Sequence, residues 1–183
     1  MTQIRLRVDN RELKLRQLLS NSSLDISIIF ENLSIGDFIY ELNGEPLIII
    51  ERKTLEDLAQ SIKDNRWKNQ KINLLENFPR NRIYFVIEGD WNYMNGEDIY
   101  NGIHKKNLMG CIINTLIRDD IKIMWTLNIC ETQNLLIYLY KKIVKDYEKL
   151  GFGEQRTKIN EIQIHKDKST NLSQDRFFNN CLL

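Results

Sequence analysis

GDFIYELNGEPLIIIERKTLED, running from Gly36 to Asp57, is the stretch whose reading decides the fold. Phe38–Leu42 and Leu47–Ile50 are dense in apolar and β-branched residues, which suit a pleated, half-buried surface, so both read as strands. Asn43-Gly44 between them is a strong hairpin signal. Pro46 has no N–H to give to a ladder and belongs in the loop or at the first strand position. A five-residue loop, Leu42–Pro46, pairs Glu41 with Leu47 and sets Asp37 opposite Glu51. A two-residue loop offsets that pairing by one residue and turns one carboxylate to the other face.

Two carboxylates directly opposite have Cβ atoms about 4.5–5.5 Å apart and repel each other. A divalent cation between them reverses the penalty. Lys53 is two residues beyond Glu51 and shares its face. A hard cation such as Mg²⁺ uses one or two carboxylates and keeps several waters. The remaining positions accept a phosphate oxygen and an attacking water. The Lys53 ammonium then stabilises hydroxide, or the charge on a phosphorane-like transition state. A surface hairpin with solvated charges is the plain alternative. Against it, Leu47–Ile50 is wholly apolar, so the strand is buried and three charged residues stand at its end.

Gly36-Asp37 with Glu51-Arg52-Lys53-x-x-x-Asp57 resembles the GD…ERKxxxD signature of the XPF/Mus-type structure-specific DNA endonucleases, the ERCC-four nuclease domain. Val8-Asp9-Asn10-Arg11-Glu12 resembles their opening VDxRE. The segment from Ser61 to Lys71 resembles their S-I-x-D-x-R-(aromatic)-x-x-Q-K element and is most similar to the Mus branch. Ile87-Glu88-Gly89 resembles the strand end that follows. The likeness spans Ile4 to Leu150 and implies an α/β, restriction-endonuclease-like mixed central sheet with helices on both faces. It implies catalytic Asp37, Glu51, Arg52, Lys53 and Asp57. Metal, Mg²⁺ or Mn²⁺ as substitute, is held by Asp37 and Glu51, with Asp9 near it and the Arg52 carbonyl as a further ligand. Glu12 and Glu88 support the site. Lys63, Arg66, Gln70 and Lys71 face DNA. The partners implied are branched DNA (flaps, forks, nicked junctions) and a second subunit, in a homodimer or heterodimer. A non-catalytic partner subunit and a nuclease acting on ordinary duplex are the alternatives. Partner subunits of the first kind usually lose the acidic and Lys positions, and this chain keeps them.

The 183 residues suffice for one α/β domain with a core. A net charge of +1 announces no global basic field. Between Glu51 and Arg82, however, basic residues exceed acidic ones by three. The odd count of three cysteines, without metal spacing, reads as free thiols in a reducing compartment. With only two histidines and no metal-type cysteine spacing, the sequence argues against a zinc site. Neither a signal peptide nor a bilayer-length apolar run is present, so the expected location is intracellular, and nuclear if the source is a eukaryote.

Along the chain, Ile4–Val8 reads as a strand, and Asp9 either caps the helix beginning near Leu13 or lies beside metal. Asp25–Leu33 is a second strand. Thr54 opens a helix whose stripe is Leu55, Leu58, Ala59 and Ile62. Asp57 is equally a capping partner of Thr54 or a carboxylate near the metal. A helix over Arg66–Phe78, a strand over Asn81–Glu88, a polar loop over Gly89–Ile103, a helix over Lys105–Arg118 and a strand over Ile121–Trp125 follow. The longest helix, Glu131–Leu150, is apolar around more than one face, which deep burial explains simply and a dimer interface explains too. The domain divides as 1–150 nuclease, 151–173 polar linker and 174–183 apolar tail, the last resembling the first helix of a helix-hairpin-helix pair cut short.

Overall fold

The computed structural model describes residues 3–21, 26–91, 99–100 and 102–152. The strands are β1 (Ile4–Asp9), β2 (Ile28–Glu31), β3 (Phe38–Leu42), β4 (Glu45–Thr54), β5 (Ile83–Glu88), β6 (Ile99–Tyr100), β7 (Ile103–His104) and β8 (Lys122–Thr126). The helices are α1 (Leu13–Ser20), α2 (Leu55–Lys63), α3 (Arg66–Asn77), α4 (Lys105–Ile113) and α5 (Ile129–Asp146). Six strands form one sheet in the order β2-β1-β3-β4-β5-β8, with β6 and β7 as a separate hairpin. Pairings β1–β2, β4–β5 and β5–β8 are parallel, while β1–β3 and β3–β4 are antiparallel. The expected mixed sheet is therefore the observed one.

Alternation along the strands divides the apolar residues between two cores. Ile49, Ile83, Phe85 and Ile87 pack with Leu58, Trp67, Leu74, Leu108 and Ile112 of α2, α3 and α4. Ile48, Ile50, Phe38, Tyr40 and Val86 pack on the opposite face with Leu15, Leu19, Leu136 and Ile143 of α1 and α5. Helices thus cover both sides, and β4 is apolar throughout its middle because each of its faces meets a core.

The hairpin reaches its register by an unexpected route. The turn is the two-residue Asn43-Gly44, with φ of 53° and 90°, and Leu42 pairs with Glu45. Alone, that turn would displace Asp37 from Glu51. A register shift between Tyr40 and Glu41 absorbs one residue, so Glu41 faces Pro46 while Tyr40, Ile39 and Phe38 face Ile48, Ile49 and Ile50. The five-residue loop is corrected, but its consequence stands, because the extra residue sits in a bulge instead of the turn. Leu47 is the extra residue, and Pro46 stands next to it, opposite Glu41. The buried Glu41 there faces Arg5 and Arg7 of β1, 3.9 and 3.6 Å away.

Gly36 leads into β3 with φ +73°, and a Cβ there would lie 2.7 Å from Cγ1 of Ile49. The chain can approach β4 this closely only without a side chain. β4 extends through Lys53 to Thr54, well beyond the apolar run, so all three charged residues are strand residues.

Smaller differences have local causes. β2 is limited to Ile28–Glu31, and residues 22–25, where its expected start falls, lie outside the described residues. A 3₁₀ turn at Arg80–Arg82 delays β5 to Ile83. Part of the expected loop over Gly89–Ile103 carries β6, paired with β7. The helix after β7 widens at Asn114–Arg118 into a π turn, and α5 starts two residues early because Asn128 caps it by accepting from the N–H groups of Cys130 and Glu131. Residues 153–183, which take in all but the start of the linker expected over 151–173 and the whole tail over 174–183, lie outside the described residues. Among the described residues, no helix is long and apolar enough to cross a membrane.

Candidate active site

The strand ends of β3 and β4 assemble the site. The β3–β4 ladder closes at Phe38 and Ile50, and Asp37 lies one step beyond, at the level of Glu51. Its backbone is pinned from both sides: Asp37 N–H donates to Ile50 O at 2.8 Å, and Asp37 O accepts from Asp9 N–H at 2.9 Å. One carboxylate oxygen, Oδ2, accepts from Arg52 N–H at 2.7 Å. Glu51 is 4% exposed and Lys53 7%. Lys53 Nζ lies 2.7 Å from Glu51 Oε1.

Burial, then the charge of Glu51, push the Asp37 carboxyl up to about 8, against weaker opposition from the Arg52 N–H and from Lys53. Glu51 is buried and Asp37 half-buried, and with both ionised the set is one positive charge short. A divalent cation corrects that shortage, and two carboxylates are within the number a Mg²⁺ site uses. The donor set therefore fits a hard cation. Among the described residues, no group of three or more His, Cys, Asp or Glu side chains is arranged to hold one.

Asp9 stands at the end of β1. It is fully buried, and its Oδ1 accepts from Arg11 N–H and Nε at 2.7 Å each, while Oδ2 accepts from Arg11 Nη2 at 2.9 Å and Leu33 N–H at 2.8 Å. Burial raises its pKa, yet the Arg11 hydrogen bonds outweigh burial and hold it below the usual carboxylate range. In this structure Asp9 makes anchoring contacts, tying the end of β1 to the β2–β3 connection and fixing Arg11. Asp9 does not cap α1 through its side chain, since Glu12 occupies that cap position. The Arg11 pKa is raised by its hydrogen bond to Asp9 and further by the charges of Asp9, Asp37 and Glu51, which puts this residue within electrostatic reach of the acid pair.

Arg52 points to the other face of β4. Its Nε and Nη2 donate to Glu88 Oε2 and Oε1 at 2.8 and 2.6 Å, and its Nη1 donates to Glu12 Oε2 at 3.1 Å. Thr132 of α5 donates to Glu88 Oε2 at 2.6 Å and lies 2.7 Å from Thr126 Oγ1. Burial raises the Glu88 pKa, but hydrogen bonds from Arg52 and Thr132 bring it below the ordinary value. Glu12 ends above its ordinary value, chiefly through burial. Glu12 and Glu88 both bond Arg52, and the charge of Glu12 also raises the Asp37 pKa. Thr132 has no sequence signal of its own, since it reads as one polar residue in an amphipathic helix.

Asp57 is exposed and completes the start of α2. Thr54 Oγ1 accepts from its N–H at 3.1 Å and donates to its Oδ2 at 2.9 Å. Lys63 and Arg66 are exposed, and Arg66 Nε pairs with Asp64 Oδ2 at 2.8 Å. Lys71 departs from the expectation that it faces DNA. It is 8% exposed, ion-paired with Asp119, donates to Thr115 Oγ1 at 3.1 Å and lies over the Trp67 ring. At about 100° per residue, Arg66 and Lys71 are about 140° apart on α3. Lys71 instead shares the inward stripe of Trp67 and Leu74. Gln70 is half-buried beside them, its Oε1 without a hydrogen-bond partner.

The ERCC4 domain model matches residues 8–139, and the chain belongs to that family. Its sheet and helices are similar to those of XPF from Aeropyrum pernix, solved in complex with DNA, with a TM-score of 0.62 and 26% identity over 78% of this chain and 66% of that one. The 3'-flap repair endonuclease Xpf of Saccharolobus solfataricus is 30% identical over 88% of this chain and 61% of its own length. The crossover junction endonuclease MUS81 of Arabidopsis thaliana is 26% identical over 87% of this chain and 23% of its own. Both align over 167 residues, so the comparison does not single out the Mus branch. The chain spans 16% of the length of a putative ATP-dependent RNA helicase of Methanocaldococcus jannaschii and 33% of an ERCC4 domain-containing protein of African swine fever virus.

The raised Asp37 pKa sets a pH dependence. Without metal, the unfolded chain releases this proton near 3.8 and the folded chain near 8. Stability is therefore lost as pH climbs between those values, because only the unfolded state has given up the proton. In EDTA, the melting temperature should fall from pH 5 to pH 8.5, and Asp37→Asn should flatten that fall and melt higher at pH 8.5. Parallel profiles for the two proteins would contradict the raised pKa.

Proposed function

We propose that the chain is a metal-dependent, structure-specific DNA endonuclease that hydrolyses phosphodiesters near branch points in repair or recombination. The observation that carries this reading is the juxtaposition of Asp37, Glu51 and Lys53 at the end of one buried strand pair. Asp37 and Glu51 would hold Mg²⁺, or Mn²⁺ as a substitute, with the Arg52 carbonyl as a further ligand. The bound ion would act as a Lewis acid on the scissile phosphate and lower the pKa of a water. Lys53, held by Glu51 beside that position, stabilises the attacking hydroxide or the charge gathering on the phosphoryl oxygens. Arg52 acts from the other face. Its fork onto Glu88 and Glu12 holds the β4 backbone whose N–H orients Asp37, so it is a positioning residue. Lys63 and Arg66, both exposed, neutralise phosphates along the substrate, while Lys71 is committed to the interior.

A partner subunit completes the reading. Tyr138 of α5 is 68% exposed, and Val144 also faces outward. Leu135 and Leu139, only half-buried, flank Tyr138 along the outer side of α5, in a groove shared with Lys141, Lys142 and Lys145. This side suits a homodimer or a heterodimer with a related chain. Sedimentation over a range of concentrations should show dimerisation that Tyr138→Glu weakens; a monomer throughout would remove the partner from the reading.

Cleavage of labelled flap, fork and uninterrupted duplex DNA tests the main proposal. Cutting should occur near the branch with Mg²⁺ or Mn²⁺, stop in EDTA and be weakest on duplex. Lys53→Ala should slow it by roughly 10²–10³-fold, and Asp37→Asn or Glu51→Gln should abolish it. Arg66→Ala should keep cleavage while lowering the salt dependence of binding by about 0.9 in slope. Undiminished cutting by Lys53→Ala, or equal cutting of duplex and flap, would contradict the mechanism or the specificity respectively.

A further inference from the structure

Trp91 and Trp125 have no place in the site described above. Trp125 lies on β8, the edge strand of the sheet, and is 47% exposed. Its register partner is Ile87, and the partner of Ile87 on the other side is Lys53. Residues in register project to the same face, and Ile87 belongs to the core under α2, α3 and α4. Lys53, Ile87 and Trp125 therefore form one row across that face, at the C-terminal ends of three parallel strands. At about 4.8 Å per strand, the Trp125 Cα is about 10 Å from that of Lys53. Trp91 follows closely on Gly89, whose N–H donates to Thr126 O at 2.8 Å as the chain leaves β5. The two indoles meet with centroids 5.8 Å apart and planes at 87°, which makes a right-angled corner. Trp91 is half-buried against the same core and backs the exposed Trp125 ring, whereas Trp67 is nearly inaccessible and tilted onto Phe85 at 4.6 Å.

We propose that the Trp91–Trp125 corner is a stacking site for an unpaired nucleobase of the strand being cut; this rests on the nuclease reading above. Indole rings hold bases with little sequence preference, because every base has a π-face. In a continuous duplex those faces are covered by neighbouring pairs, so only an unpaired base offers one to the corner. At about 3.4 Å per stacked nucleotide, the distance to Lys53 places that base two to three nucleotides from the scissile bond. Position in the Lys53 row, on the same face as the acid pair, favours nucleic acid over protein as the occupant. The corner would thus give this half of the sheet a physical means of telling a branch from uninterrupted duplex.

The test uses the full chain in EDTA, so that binding is read without cleavage. One probe is a flap oligonucleotide with 2-aminopurine at the second or third unpaired position, and the other a nicked duplex with no unpaired base. Wild type should quench the 2-aminopurine. Trp125→Ala should lose the quench and bind the flap about ten-fold more weakly, with duplex binding and melting temperature unchanged, and Trp125→Phe should recover most of both signals. Equal flap binding by wild type and Trp125→Ala would overturn the proposal. So would an equal loss on flap and nicked duplex, or a changed sedimentation coefficient with flap binding intact, which would mark a protein contact. Quenching without cleavage of any DNA in Mg²⁺ would sink the nuclease reading while leaving the stacking site in place.

Discussion

Two like charges confined at the end of a buried strand pair are the constraint on which the site depends. Asp37 and Glu51 would separate if the hairpin slipped by one residue, since one side chain would turn to the opposite face. The bulge at Tyr40 and Glu41 prevents this by absorbing the residue that the tight Asn43-Gly44 turn leaves over. Gly36 lets the chain reach β4 at the required distance, and the hydrogen bonds of Asp37 with Ile50 and Asp9 hold it there. The cost of the arrangement appears as a carboxyl pushed to about 8.

Alternation along β4 explains how three consecutive charged residues serve different purposes. Glu51 and Lys53 face the acid pair's side, and Arg52 between them faces α1 and α5. Through Arg52, Glu88 and Thr132, the strand that carries the candidate catalytic groups is tied to the start of α5. Through Thr54 and Asp57, the same strand passes directly into a capped α2. The site is therefore built on rigid elements from both layers, with loops contributing little among the described residues.

Much of this was legible in the residues themselves. The apolar run Leu47–Ile50 marked a strand covered on both faces, and the i, i+2 spacing of Glu51 and Lys53 placed them together. Thr54 announced its helix. What lay beyond reading had tertiary causes. No local signal distinguishes a five-residue loop from a two-residue turn followed by a bulge. Lys71 looks like a DNA-facing lysine until Asp119, 48 residues away in the chain, neutralises it inside the protein. The bonds of Asp9 to Arg11 and to the backbone at Leu33 are likewise tertiary, the second set by the β1–β2 crossover.

The central claim is that Asp37 and Glu51 form one cation site, and direct titration with Mn²⁺ read by electron paramagnetic resonance tests it without DNA or turnover. The free-ion signal should be depleted by the wild-type chain and by Lys53→Ala. It should be left undiminished by Asp37→Asn and Glu51→Gln, with both variants folded by circular dichroism. Undiminished Mn²⁺ binding in either carboxylate variant would contradict the account, because it would place the ion elsewhere and leave the opposed acids as a purely structural pair.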